Sequence, residues 1–165
     1  MVPFHQESKL IQTLPGINEV SASAILAEVG IDMSQFPDES HLCSWAGVCP
    51  GNNESAGKRK SGRTKKGNSF LKGTLTEVAW AASRTKSSAY HAIYNNLAKR
   101  IGKRKALVAV AHRMLIDIYR VLKMGEPYHE IGAEAAHERA VERREQSMIR
   151  LLERAGYSVS RAAIA

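Results

Sequence analysis

Residues 103–124 have the sequence KRKALVAVAHRMLIDIYRVLKM, in which apolar residues return at every third or fourth position. This spacing predicts an α-helix with one apolar side, because residues three and four apart share a helix face. Gly102 precedes the stretch, and Gly125-Glu126-Pro127 follows it with residues that end helices. The apolar face consists of Leu107, Val110, Ala111, Met114, Leu115, Ile118 and Leu122.

The same helical spacing recurs along most of the chain, and no convincing alternation of period two indicates a strand. We therefore predict an all-α fold. A compact helical domain at 1–125 would contain a helix-hairpin-helix element and a basic loop, and a helical tail would follow at 126–165. Further helices are expected near residues 10–14, at 21–29, 41–47, 69–84 and 88–100, and as an extended C-terminal helix from about 133 to 155.

The segment Leu14-Pro15-Gly16-Ile17 lies between two short amphipathic patterns and looks like a helix-hairpin-helix. Backbone N–H groups of such a hairpin bind a DNA phosphate without contacting a base, so Gly16, Ile17 and Asn18 are candidate nucleic-acid contacts. Asn18 replaces the usual second glycine and tolerates a positive φ better than most residues. The alternative is a packing corner between two helices. The acidic side chains around the segment do not attract a phosphate, so they give no support to DNA contact.

The net charge of +8 is distributed unevenly along the chain. Residues 1–57 carry seven acids and one base, and residues 124–165 carry seven acids and six bases, giving −6 and −1. Residues 58–123 carry seventeen bases and two acids, giving +15. Phosphates favour such clusters through counterion release, so nucleic acid is the expected partner. A solvated charged surface without a partner is the alternative.

Six of these seventeen bases lie close together in a loop at 50–68 that is rich in glycine, serine and asparagine. Arginines suit bidentate contact with phosphate oxygens, and lysines act as point charges. Asn68 is the expected N-cap of the helix that begins at Ser69, where a helix dipole would add to the attraction for an anion. The candidate nucleic-acid-binding residues of the loop are Lys58, Arg59, Lys60, Arg63, Lys65, Lys66 and Asn68.

Ser55 and Ser61 place hydroxyl groups beside these cations. A serine needs a base before it becomes a nucleophile, and no His–Asp pair lies nearby in the sequence. From the residues alone, a serine among turn formers is more often a turn residue than a catalytic one. Tyr90 and Tyr94, one helical turn apart, are interpreted as core or groove-lining residues.

Other classes of function have little support in the sequence. Cys43 and Cys49 lack partners at zinc spacing, which is typical of free thiols in a reducing cytoplasm, and no carboxylate cluster indicates a metal. We therefore expect no cofactor in this chain. No apolar run approaches the ~18 residues of a membrane span, and the N-terminus lacks a signal-peptide pattern.

Several short segments in this order resemble one known family. The combination resembles the C-terminal transposase domain of the DEDD, RuvC-like insertion-sequence transposases, a family that includes the Piv-type DNA invertases, over about residues 8–125. The segments are Leu14-Pro15-Gly16-Ile17, Ala27-Glu28-Val29-Gly30, Phe36, Trp45-Ala46-Gly47-Val48-Cys49-Pro50, Ser55-Ala56-Gly57 and Lys66-Gly67-Asn68.

The resemblance implies DNA transposition or site-specific recombination by a bacterial, cytoplasmic protein associated with the nucleoid. In that family this domain supplies a serine that becomes covalently linked to DNA, an N-terminal RuvC-like domain binds Mg²⁺ through four acids, and a guide RNA takes part. By motif position the serine is Ser55, with Ser61 as the fallback because Ala56 separates Ser55 from the glycine that follows the serine directly in many relatives.

No strand-like segment with spaced acids precedes Leu10, so we expect a truncated transposase or an excised domain that does not cut DNA alone. Full-length transposase, or further copies of the chain, would then be partners through the C-terminal helix. Two alternatives remain open: a nucleic-acid-binding module without catalysis, and a truncated regulator that joins full-length transposase.

Overall fold

A computed structural model of the chain describes residues 4–50, 53–55, 58–61, 64, 66–86, 88–130 and 145–158. For the strand residues 53–55 and 58–61 only the backbone is described. Two compact units are present, Met1–His129 and Glu130–Ala165.

The prediction of an all-α fold is confirmed by the elements of the first unit. Its helices are α1 (His5–Ile11), α2 (Glu19–Val29), α3 (Glu39–Ala46), α4 (Ser69–Ala82), α5 (Ala89–Ile101) and α6 (Lys103–Met124), with a 3₁₀ turn at Met33–Gln35. One feature was not anticipated: within the predicted basic loop, β1 (Asn53–Ser55) and β2 (Lys58–Ser61) form a two-stranded antiparallel ribbon. The period-two pattern failed to predict these strands because they are short and polar.

Helix α6 is the centre of this unit, and α1, α3, α4 and α5 all contact it. The predicted apolar face is confirmed: Val110, Met114 and Ile118 are fully buried, whereas Leu107 and Leu122 at its margins are half-buried. Burial of a large aliphatic side chain contributes about 1.5–3 kcal/mol, so this face supplies much of the stability of the unit.

Polar side chains cap four of the helices at their N-termini. Asn18, Asp38, Asn68 and Ser88 each accept a hydrogen bond from the backbone N–H three residues later. Each cap satisfies an N–H group that has no acceptor within its helix, and typically contributes about 1 kcal/mol. The expected cap at Asn68 is therefore confirmed.

The turn between α1 and α2 packs directly on α4. Gly16 has a φ of +88°, and a Cβ at this position would lie 2.6 Å from both the Ala82 nitrogen and the Val78 oxygen. Glycine is required here for two reasons. The backbone has a positive φ, and the neighbouring helix leaves no room for a side chain.

A buried polar cluster joins α5 to α6. The Tyr90 hydroxyl donates to Asp117 Oδ2 at 2.9 Å, and Arg113 Nε donates to the same oxygen at 3.1 Å. Tyr128 stacks on Tyr90 with ring centroids 5.8 Å apart, and its backbone N–H donates to Thr13 Oγ1. These contacts fasten the chain after α6 to the first unit.

In the second unit, residues 145–154 form a helix, α7. All of its residues are exposed, including the apolar Met148, Ile149, Leu151 and Leu152. The extended helix expected from about 133 is thus present from 145, and residues 131–144 lie outside the described part of the chain.

Candidate nucleic-acid interface

The ribbon gives the basic loop a defined backbone register. Ser55 pairs with Lys58, Glu54 pairs with Arg59, and Asn53 pairs with Ser61. The register shifts between Asn53 and Glu54, which leaves Lys60 without a partner on β1, as in a β-bulge. Two candidate cations therefore lie opposite the strand that ends with Ser55.

The two candidate serines lie at opposite ends of this ribbon. Ser55 belongs to the pair next to residues 56 and 57, whereas Ser61 belongs to the last pair before the chain leaves β2. Asn53, the partner of Ser61, precedes Ser55 by two residues, so at a strand rise of ~3.3 Å the two pairs are roughly 7 Å apart along the ribbon. One phosphate therefore cannot have the same relation to both serines.

The two ends of the loop meet at a close glycine contact. A Cβ on Gly67 would overlap the Gly47 nitrogen and lie 2.6 Å from the Gly47 Cα. Beside this contact, the Asn68 N–H donates to the Trp45 carbonyl at 3.3 Å. The ribbon thus leaves the helical core at the end of α3 and returns beside its own point of departure, at the start of α4.

Asn68 connects this loop base to α2. Its Oδ1 accepts from the Leu71 N–H at 3.0 Å, and its Nδ2 donates to Glu28 Oε2 at 2.5 Å. A carboxylate therefore already lies at the N-terminal end of α4, where it interacts favourably with the helix dipole. A phosphate bound at this helix end would have to share it with Glu28, which the prediction of an anion clamp did not anticipate.

Among the remaining loop candidates, the structure describes Lys66, which is exposed just before the Gly67 contact. Thr64 is held by α4, because Lys72 Nζ donates to its hydroxyl. Arg63 and Lys65, and the side chains of Ser55, Lys58, Arg59, Lys60 and Ser61, lie outside what the structure describes. The roles of these side chains stay predictions.

Two backbone donors of the α1–α2 turn already have acceptors within the protein. The Ile17 N–H donates to the Leu14 carbonyl, and the Asn18 N–H donates to Ser21 Oγ at 3.0 Å. The Ile17 side chain is buried, and Glu77 lines the same cleft as Gly16 and Asn18. Phosphate contact at Gly16, Ile17 and Asn18 stays a prediction, and this arrangement favours the alternative of a packing corner.

No other cluster of reactive groups stands out in the described residues. No three His, Cys, Asp or Glu side chains there come close enough together to hold a metal ion. Burial raises the pKa of Cys43 to about 12, which makes this thiol a poor nucleophile. None of the helices described is both long and apolar enough to cross a membrane.

Glu28 is the residue at this interface that sequence reasoning missed as a contact. It lies forty positions before Asn68 and within a helical pattern of its own, so no local spacing predicts that the two side chains meet. The contact between Gly47 and Gly67 was also not predicted, because no local spacing indicates that the two glycines meet. Both glycines belong to the segments that carry the family resemblance.

The chain was also compared with known protein families and with curated proteins. No curated protein matches the chain significantly. The model of the Transposase IS116/IS110/IS902 family matches residues 8–95, just over half of the chain, and this region includes the end of α1, all of α2 to α4, the ribbon and the first turns of α5. The chain therefore belongs to the Transposase IS116/IS110/IS902 family.

Proposed function

We propose that this chain holds nucleic acid against the ribbon at 53–61 and supplies Ser55 as the nucleophile that attacks a DNA phosphodiester. The lysines and arginines at 58–66 bind the phosphate backbone. Arg59 and Arg63 stabilise the charge that develops on the phosphate oxygens during attack. The family to which the chain belongs carries out transposition, which supports DNA as the substrate.

In the proposed step, Ser55 Oγ forms a bond to phosphorus while the bond from phosphorus to one deoxyribose oxygen breaks. The serine proton passes to a group of a partner domain, in cis or from another subunit, and the departing oxygen takes up a proton. One phosphate ester replaces another, so the step needs no oxidant and no external energy source. A deoxyribose hydroxyl at the cut end of another strand then attacks the phosphorus of the phosphoserine. The bond from phosphorus to Ser55 Oγ breaks, the serine takes up a proton, and the protein is released.

The ribbon register is the single observation that supports Ser55 most strongly. It pairs Ser55 with Lys58, which brings a hydroxyl-bearing residue and a cationic residue into one backbone pair. Antiparallel pairs have Cα atoms about 4.5–5.5 Å apart, so a single phosphate is within reach of residues on both strands. Ser61 has no such pair, because its partner is Asn53.

A comparison of alanine variants of Ser55 and Ser61 tests which serine is the nucleophile. The chain is incubated with a RuvC-like domain supplied in trans and with labelled DNA that carries an insertion-sequence end, and both strand joining and covalent protein–DNA adducts are measured. Ser55→Ala is expected to abolish both products, whereas Ser61→Ala, the same change at the other end of the ribbon, keeps them. Equal activity of the two variants would exclude Ser55 as the nucleophile.

Binding is tested separately from chemistry. If Z loop cations contact duplex phosphates, the logarithm of the binding constant falls with the logarithm of salt concentration at a slope of about −0.9Z. The same titration with a structured RNA tests whether an RNA, as the family resemblance implies, shares this surface. A flat titration with both nucleic acids would exclude the loop as the contact surface.

The exposed apolar residues of α7 favour a second role, assembly with other transposase subunits. Met148 and Leu151 are 54% and 69% exposed, and Ile149 and Leu152 are 37% exposed each. Such residues on a helix commonly bind a partner helix. Removal of residues from Ala133 onward should lower the mass measured by sedimentation if the chain assembles through α7. An unchanged mass would reject this role.

A further inference from the structure

A second group of cations lies at the corner between α5 and α6, away from the ribbon in the sequence. Lys99, Arg100, Lys103, Arg104 and Lys105 fall within seven residues, and all five are exposed. In the described part of the chain, their side chains have no hydrogen bond or ion pair. Farther along α6, by contrast, Arg113 pairs with Asp117 and Arg120 pairs with Glu39. The corner charges are therefore available to an external anion.

The backbone of this corner is fixed by a single residue. The Gly102 N–H ends α5 by donating to the Ala98 carbonyl at 3.1 Å, and its own carbonyl accepts from the Ala106 N–H at 3.0 Å. Its φ of +86° is a conformation that other residues rarely adopt. Because one residue joins two helices, the cations at both helix ends are held in a limited arrangement rather than on a free loop.

The start of α6 is an electrostatically unusual helix end. Gly102 supplies no side-chain cap, and within the described residues the N–H groups of residues 103–105 find no acceptor. Three cations in the first turn oppose the helix dipole, which favours negative charge at this end. A bound anion would satisfy the N–H groups and neutralise the side chains at the same time.

Packing directs this charged turn outward. Ala106, Val110 and Ala111 are fully buried, so the apolar face of α6 begins immediately after Lys105. Between Glu77 and Asp117 the sequence contains no acid, so no neighbouring carboxylate along the chain offsets the five charges. Substitution of the exposed cations therefore leaves the core of the unit intact.

We propose that the α5–α6 corner is a second contact surface for a phosphodiester backbone, in addition to the ribbon. This inference rests on the proposed function, because it assumes that the chain holds nucleic acid. Duplex DNA carries about one negative charge per 1.7 Å of helix axis, which provides enough phosphates for a compact group of five cations. The corner follows residues 8–95, where the family match ends, so it is a feature of this chain outside the matched region.

The test compares salt titrations of the full chain and a triple variant, Lys103→Gln, Arg104→Gln and Lys105→Gln. The binding constant for duplex DNA is measured by fluorescence anisotropy at several salt concentrations. If all three cations contact phosphates, the slope should become less steep by about 2.7, which reduces the change in affinity between 50 and 200 mM salt by about 40-fold. An unchanged slope would overturn the proposal. A parallel titration with an RNA duplex distinguishes DNA from RNA as the source of the phosphates.

A matched control separates a local surface from overall charge. The triple variant Lys9→Gln, Arg150→Gln and Arg154→Gln changes three other exposed cations and lowers the net charge by the same amount. It should keep the wild-type slope. If it lowers the slope as much as the corner variant does, the effect is one of net charge and the corner is not a distinct surface.

A ribbon variant, Lys58→Gln, Arg59→Gln and Lys60→Gln, separates this inference from the proposed function. If the salt dependence of binding becomes less steep in the ribbon variant and is unchanged in the corner variant, the corner proposal fails and the ribbon remains the contact surface. If only the corner variant loses slope, the corner proposal is supported and the ribbon contact fails. If the corner variant does not fold, Lys99→Gln with Arg100→Gln tests the same surface from the end of α5, with an expected slope change of about 1.8.

Discussion

The backbone of Gly67 lies directly against the backbone of Gly47, so that the basic ribbon leaves and re-enters the helical core at one place. A loop whose ends are fixed together loses less conformational freedom when it binds a ligand than a loop with free ends. This contact therefore connects the packing of α3 and α4 to the presentation of the cations between them.

Gly67→Ala is expected to destabilise the chain by about 1–3 kcal/mol, because the added Cβ would overlap the backbone of Gly47. The measurement is the free energy of unfolding in urea. Gly73→Ala is the matched control, since a Cβ there meets nothing within 4 Å and Gly73 lies inside α4. That variant should gain about 0.5–1 kcal/mol from helix propensity. Equal stability of the two variants would contradict the close contact.

The pair Asn68 and Glu28 predicts an unusual rank order of substitutions. Aspartate is normally as good an N-cap as asparagine, but here its second oxygen would face the Glu28 carboxylate in place of an amide donor. Asn68→Asp should therefore be less stable than Asn68→Ser in urea unfolding. Adding Glu28→Gln should restore stability to Asn68→Asp, since the new amide can donate to the aspartate. An Asn68→Asp variant as stable as the wild type would refute this pairing.

Tyr90→Phe removes the hydroxyl that donates to the buried carboxylate of Asp117. Arg113 still donates to the same oxygen, so the expected loss is about 1–3 kcal/mol rather than unfolding of the domain. Thermal and urea unfolding provide the measurement. Tyr94→Phe is the control, because Tyr94 lies on the same helix and its hydroxyl has no hydrogen bond among the described residues. We expect its effect to stay within about 0.5 kcal/mol.

Stability should decline as the pH falls from 7 to 5 because of His112. Burial, and secondarily the charge of Arg113, lowers the pKa of His112 below its ordinary value of 6.5. The unfolded chain therefore takes up a proton near pH 6.5 before the folded chain does, and this protonation favours unfolding. The stability that depends on neutral His112 is therefore complete above pH 6.5 and decreases as the pH falls below that value. Urea midpoints across this range should change less in His112→Gln than in the wild type; an equal change would exclude His112 as the cause.

Local patterns were sufficient for the helices. The boundaries of α6 agree with the prediction at both ends, and those of α4 and α5 agree within two residues. Apolar periodicity coincides in α4 with a capping side chain at its start, in α6 with a glycine at its end, and in α5 with both. The strands of the ribbon were missed because they depend on pairing between the strands, and their polar residues show no apolar side. Family membership was predictable because several short segments, each weak alone, occur in one order.

What the sequence alone determined was the all-α class, the helical elements and the concentration of positive charge, since each depends on residues near one another along the chain. Only the tertiary structure decided that Gly47 meets Gly67, that Glu28 reaches Asn68, and that Gly16 has its place against α4. These contacts join residues 20 to 66 positions apart. Their geometry is set by how helices pack around α6, and that packing minimises exposed apolar area over the whole unit rather than within any one segment.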